Sequence, residues 1–210
     1  MIRAPEVVEA LARFEEALYR ANEVMNLTRV PRGEFMTRHV ADSLLVAEFA
    51  DRGASVLDIG TGAGFPAWPL AAVRPDLQVT ALDSSGKATR FLEQLPLPNL
   101  TVVNARAEAW GVRDRFDLVT GRAVAPLALQ LELSAAPCRV GGIVLPMRTP
   151  AEREEAERVP VKRLGLTLES LEERAVPGTD VTRLLPVYRK VEATAQTYPR
   201  PWAEMRRKPL

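Results

Sequence analysis

The chain has 210 residues, 47 % apolar and 26 % charged, enough to bury a sizeable core without staples and too apolar to remain disordered. Its single cysteine (Cys138) and single histidine (His39) exclude an intramolecular disulfide and any multi-Cys or multi-His zinc site. No apolar run reaches membrane-spanning length, Met1–Glu6 opens no signal peptide, and the lone cysteine fits the cytoplasm.

The first 53 residues read as a helical cap. Val7, Leu11, Phe14, Leu18, Ala21 and Met25 recur every three or four positions as one apolar stripe, with Pro5 tolerated in the first turn. Asn22, Asn26 and Thr28 interrupt the pattern, and Asn26 and Thr28 brace the turn between the cap helices. A second helix is predicted over 34–49, with Met36, Val40, Leu44 and Ala47 on its inner face. Arg52-Gly53 ends it.

After Gly53 short strands alternate with helices. Strands are predicted at 55–59, 78–82, 100–103, 116–120 and 142–147. Helices are predicted at 67–73, 87–95, 126–136 and 150–164, the third with Cys138 near its end as a small core residue. Residues 167–176 and 184–191 flank Pro177-Gly178 as an antiparallel hairpin. This grammar implies βαβ units and an α/β fold with a mainly parallel seven-stranded sheet, spanning 54–191. Residues 192–210 form a tail without periodicity. From Arg189 onward six basic residues face two acids, against seven Arg and nine acids in residues 1–53, so the overall charge of +1 hides a basic terminus. A basic tail is either a solvated end or a local anionic contact.

Asp58-Ile59-Gly60-Thr61-Gly62-Ala63-Gly64 follows a strand and opens a helix. The glycines permit a tight turn and close ligand approach. The spacing departs from the dinucleotide fingerprint, and the P-loop Lys and Ser/Thr are missing. Asp58 repels phosphate but attracts an amino group, and Asp83 ends the next strand, where a carboxylate accepts a ribose diol. A glycine turn, an upstream acid and a ribose acid together describe S-adenosylmethionine. The alternatives are a nicotinamide oxidoreductase, or an RNA-binding or regulatory protein that keeps the fold without transferring methyl groups. Ala107 and Glu108, after the third strand, stand at the adenine edge, although a surface ion pair with a nearby arginine explains the same residues.

Several segments resemble one family specifically. They are Asn26-Leu27-Thr28, Arg38-His39 with Asp42-Ser43-Leu44, the glycine turn through Phe65-Pro66, and Leu82-Asp83-Ser84. Arg106-Ala107-Glu108, Arg122-Ala123-Val124-Ala125-Pro126-Leu127, Tyr198-Pro199-Arg200 and the final Pro209-Leu210 complete the set. They resemble the bacterial small-subunit rRNA guanine-N7 methyltransferases, the RsmG or GidB family. The resemblance implies a Rossmann-like class I methyltransferase fold with the N-terminal helical cap. It also implies S-adenosylmethionine as donor, held by Asp58, Gly60, Gly62, Gly64, Phe65, Asp83, Ser84, Ala107, Glu108 and Arg122. The implied acceptor is a guanine of 16S rRNA within the 30S subunit or its precursor, met by a monomeric enzyme with no metal. Arg122 and His39 are the expected catalytic residues. Arg122 stands at the acceptor rim, where its guanidinium suits guanine O6 or phosphate; satisfying strand-end carbonyls is the competing role. His39, with Asp42 and Ser43 on the same helix face, either orients the cap or touches substrate. Arg38, Arg148, Arg200, Arg206, Arg207 and Lys208 are the expected RNA contacts. Where the family has lysine-glycine after the fifth strand this chain has Arg148-Thr149, and Trp68 is an added ring beside the glycine turn.

Overall fold

The computed structural model describes residues 4–210; the first three residues of the expected cap and opening segment lie outside the described residues. Helix α1 (Pro5–Met25) buries Leu11, Phe14 and Leu18 and ends where Asn26 takes a left-handed conformation, φ 49°. The second cap helix is not regular. A 3-10 turn (Arg32–Glu34) leads into a π-helix (Phe35–Ala41), one α-turn α2 (Asp42–Leu44) and a 3-10 stretch (Leu45–Phe49). Widening to i→i+5 bonds shifts the phase of the buried face. Phe35, Val40, Leu45 and Val46 are therefore buried, whereas Met36, expected inside, is exposed.

The strands are β1 (Ser55–Ile59), β2 (Gln78–Asp83), β3 (Leu100–Asn104), β4 (Phe116–Arg122), β5 (Cys138–Met147), β6 (Leu166–Ala175) and β7 (Thr182–Lys190). They form one sheet in the order β3-β2-β1-β4-β5-β7-β6. The first five are parallel, and β7 enters antiparallel between β5 and β6. Helices α3 (Ala67–Val73), α4 (Gly86–Glu93), α5 (Leu127–Ala135), α6 (Arg153–Arg158) and α7 (Trp202–Arg207) complete the layers.

Alternation along the strands sorts the core into two clusters. Val56, Val79, Ala81, Leu118 and Leu145 face α1, α3 and the cap. Leu57, Ile59, Leu82, Val119 and Val144 face α5 and the C-terminal segment. The β3–β4 connection carries only a 3-10 turn (Ala107–Ala109), so no crossover helix covers that part of the second face. Tyr198, Trp202 and Leu210 pack there instead, and Met205 is buried. The tail is thus part of the globule, and it contains the short helix α7 although its sequence shows no periodicity. Two further boundaries differ from expectation. Pro160 breaks the charged helix into α6 and a 3-10 turn (Val161–Leu164), because proline cannot continue the hydrogen-bond ladder. Cys138 is buried at the start of β5 rather than on a helix, with burial pushing its thiol up to about 12.

Candidate active site

The carboxyl ends of β1, β2 and β3 and the turn after β4 surround a cleft of about 480 Å³. Gly60, Asp83, Ser84, Ala107 and Glu108, all expected at the donor site, line it. Asp83 is held ready by two backbone amides: Gly62 N donates to Oδ2 at 2.7 Å and Ser85 N to Oδ1 at 2.8 Å. A carboxylate has about four lone-pair sites, so a diol can still donate to it. Gly60 has φ 67°, and a Cβ there would sit 3.1 Å from Val124, so the close approach of turn and strand end requires glycine.

Parity along β1 explains why Asp58 is not in this cleft. It points with Val56 toward the cap face, while Ile59 points into the cleft. Asp58 is fully buried, and its Oδ2 accepts the Ala67 amide at 3.1 Å at the start of α3. Its Oδ1 has no partner, and burial pushes the carboxyl up to about 7. A buried, unpartnered acceptor beside the glycine turn fits the ammonium of an amino-acid tail, so the residues present suit S-adenosylmethionine.

Phe65 and Gly64 also stand behind the cleft rather than in it. The Phe65 ring stacks on His39, with centroids 4.0 Å apart and planes at 4°, and meets Phe14 edge-on. A Cβ on Gly64 would collide with Leu92. Trp68 stacks on Phe14 at 4.2 Å, and its indole donates to Leu95 O. These rings are packing and do not present a base-stacking surface.

The cap meets the core through one buried carboxylate. Asp42, 1 % exposed, accepts Arg122 Nη1 at 2.7 Å, Arg183 Nε at 2.8 Å and Arg183 Nη2 at 2.8 Å. Burial opposes its ionisation, but the two guanidinium groups prevail and hold its pKa below the ordinary value. Arg122 also donates to Arg38 O and reaches His39 Nδ1 at 3.2 Å. Arginine is only a donor, so Nδ1 is the acceptor and the Nε2 proton points at Thr28 Oγ1, 2.8 Å away. Burial, then the Arg122 charge, lowers His39 to about 3. Both ring nitrogens are engaged and the ring is buried, so His39 contacts Thr28 and Arg122 rather than either cleft, the arrangement expected of a histidine that orients the cap.

Arg122 stands beside a second, smaller cleft of about 290 Å³, lined also by Pro126, Met147, Thr149 and Arg183. The two clefts share Ala123, a non-glycine residue at φ 55° immediately after Arg122. Such a conformation is costly for alanine and sets the turn that separates the two clefts.

Two expected RNA contacts are otherwise engaged. The buried Arg148 side chain binds Ala125 O, Gln130 and Glu152, so it fastens the loop after β4. Arg200 grips the buried Glu132 with Nε at 2.8 Å and Nη2 at 2.5 Å. Arg38, Arg206, Arg207 and Lys208 remain exposed, Arg38 paired with Glu34. Sequence reasoning missed Arg183 and Trp202. A lone tryptophan in a proline-rich basic tail was the available signal for the second.

The profile of the family described as rRNA small subunit methyltransferase G matches residues 7–181. The chain belongs to this family. The ribosomal RNA small subunit methyltransferase G of Lactobacillus delbrueckii subsp. bulgaricus is 37 % identical over 99 % of this chain and 93 % of that protein. That of Roseiflexus castenholzii is 39 % identical over 92 % and 87 %. Among solved structures, M. jannaschii TYW2 in complex with AdoMet superposes with a TM-score of 0.60 at 16 % identity, covering 78 % of this chain and 79 % of that one. A SAM-dependent methyltransferase from Aquifex aeolicus gives 0.58 at 16 % identity over 81 % and 97 %. These likenesses establish the Rossmann-like class I fold. Family membership makes the chain an S-adenosylmethionine-dependent rRNA methyltransferase.

Proposed function

We propose that this methyltransferase modifies N7 of one guanine in 16S rRNA, presented by the 30S subunit or a ribonucleoprotein precursor, and acts as a cytoplasmic monomer. The observation that carries this reading is the fixed position of Arg122 in the smaller cleft, one residue before Ala123, which lines both clefts, with its guanidinium pinned by Asp42 and His39. S-adenosylmethionine, when bound, supplies an electrophilic sulfonium methyl. Asp83 and the Ala107-Glu108 segment would hold its nucleoside, with Asp58 near its amino group.

Guanine N7 carries a free lone pair, so its methylation needs no prior deprotonation. The residues at the rim suit that demand. His39 is neutral at physiological pH and both its nitrogens are occupied, which leaves it unfit as a proton acceptor. Arg122 uses part of its five-donor fork on the cap. The remaining donors suit guanine O6 or a phosphate, and a hydrogen bond there positions the base while leaving the N7 lone pair free. Of the expected RNA contacts, Arg38, Arg206, Arg207 and Lys208 are exposed and suit the RNA backbone. No helix among the described residues is long and apolar enough to cross a membrane.

The test is transfer of a labelled methyl group to 30S subunits, protein-free 16S rRNA and the isolated loop, followed by nucleoside analysis. Label in 7-methylguanosine, strongest on subunits, is expected, because so small a basic footprint holds naked RNA weakly. Label in another nucleoside would refute the N7 assignment. Equal rates on the short loop would refute the need for ribosomal surroundings. Cofactor and RNA binding without incorporation would favour the non-transferring alternative.

A further inference from the structure

We propose that the C-terminal tail closes the nucleoside end of the donor cleft and that Trp202 is its base-stacking wall. The inference rests on the S-adenosylmethionine reading of that cleft and assigns a residue outside the matched family segment, which ends at 181.

The sheet creates the need for such a wall. With only a 3-10 turn between β3 and β4, the side of β1 and β2 that carries Ile59 and Leu82 lacks a crossover helix. Both residues line the cleft, and Trp202 faces them across it together with Leu133 of α5. The space continues beneath the tail into a second hollow of about 230 Å³, bounded by Tyr198 and Pro199. Removing the tail would leave the cleft open on that side.

Trp202 is also positioned rather than merely nearby. Two residues earlier, Arg200 makes a bidentate pair with Glu132, a carboxylate 1 % exposed on α5, and the Arg200 amide donates to the same carboxylate at 2.8 Å. Arg113 donates to Tyr198 O at 2.8 Å and also to Thr194 O, tying the approach to the β3–β4 connection. Three residues later, buried Met205 anchors α7. The tail is thereby fixed on both sides of the indole.

The chemistry of the wall selects a flat aromatic ring. The Arg106 guanidinium lies 5.9 Å from the indole centroid, so a planar group already meets this ring. Arg106 is more than half exposed and can move aside or sandwich a base that enters. The segment Ala105 to Glu108 supplies backbone groups at the same end of the cleft, suited to the edge of an adenine, and the Glu108 carboxylate, whose Oε1 accepts Arg106 Nε at 2.6 Å, keeps its second oxygen for that edge. Hydrophobic floor, indole wall and polar edge together make a nucleobase site.

Calorimetric titration of the full chain with S-adenosylhomocysteine and with 5′-methylthioadenosine tests the assignment. Trp202→Ala should weaken both by about tenfold, since stacking acts on the base they share. Trp202→Phe should restore most of the loss. Arg200→Lys should weaken both ligands in the parent and add little in the Trp202→Ala background, as expected of a residue acting through the indole. Intrinsic fluorescence should change on ligand binding in the parent and much less in Trp202→Phe. Unchanged affinities in Trp202→Ala, or a loss confined to S-adenosylhomocysteine, would overturn the proposal while leaving the donor assignment intact. A parent chain that binds neither ligand would overturn the donor assignment itself.

Discussion

Replacing Asp42 by Asn should separate methyl transfer from donor binding. The carboxylate accepts three hydrogen bonds of 2.7–2.8 Å from two guanidinium groups while almost fully buried. Three charged hydrogen bonds at about 1.5–3 kcal/mol each would total more than the variant should lose. Asn keeps the volume and one acceptor oxygen. The Arg122 and Arg183 side chains, 16 % and 23 % exposed, can recover water. The expected loss is therefore about 3 kcal/mol, at the lower end for breaking a buried ion pair. Arg122 would also lose its strongest anchor, and a displacement of about 1 Å at the acceptor rim costs on the order of a hundredfold in rate. Asp42 lies outside the donor cleft, so S-adenosylhomocysteine affinity should be largely unchanged. Urea denaturation, calorimetry and single-turnover transfer to 30S subunits measure the three quantities. In a double-mutant cycle with Arg183→Ala the stability losses should be less than additive, because both act on one carboxylate. Parent-rate transfer by a folded Asp42→Asn enzyme would show that the cap carboxylate does not align the acceptor rim.

Arg122→Ala should leave donor binding largely intact and cut single-turnover transfer; parent-rate transfer would refute its acceptor role. Asp83→Ala should weaken S-adenosylhomocysteine binding by about 1.5–3 kcal/mol, through loss of the diol acceptor and of the Gly62 and Ser85 anchor, measured by calorimetry. Two buried groups should nearly cancel in the acid limb of stability. Below about 7 the folded chain keeps a proton on Asp58 that the unfolded chain, at 3.8, has released, so Asp58 adds stability as pH falls. His39 does the reverse: below 6.5 the unfolded chain takes up a proton that the folded ring refuses until about 3. Asp58→Asn should therefore lose up to about 1.4 kcal/mol per pH unit on acidification toward pH 5 relative to the parent, and parallel urea profiles would refute this. Replacing Arg206, Arg207 and Lys208 together by Ala should reduce the salt slope of subunit binding by about 2 without changing donor affinity. An unchanged slope would remove them from the RNA contact.

Local pattern determined much of this protein. The bounds of β1, the glycine turn, Asp83 at the end of β2 and the Ala107-Glu108 pair are legible because strand alternation and turn chemistry act over a few residues. So is the seven-stranded count, β1 to β5 from short apolar runs between breakers and β6 and β7 from the hairpin signal at Pro177-Gly178. Tertiary structure alone decided what the charged residues do. An arginine reads the same in sequence whether free or paired, and Asp42 lies 80 residues from Arg122 and 141 from Arg183. Arg148 and Arg200, expected on RNA, are used up inside by Gln130, Glu152 and Glu132. His39 was legible as important, but its loss of catalytic freedom follows from partners on both nitrogens, one near and one 83 residues away. The tail completes the contrast. It has too little periodicity to announce a fold, yet it packs over a face the sheet leaves open, because the missing crossover helix is visible only once β3 and β4 are in place.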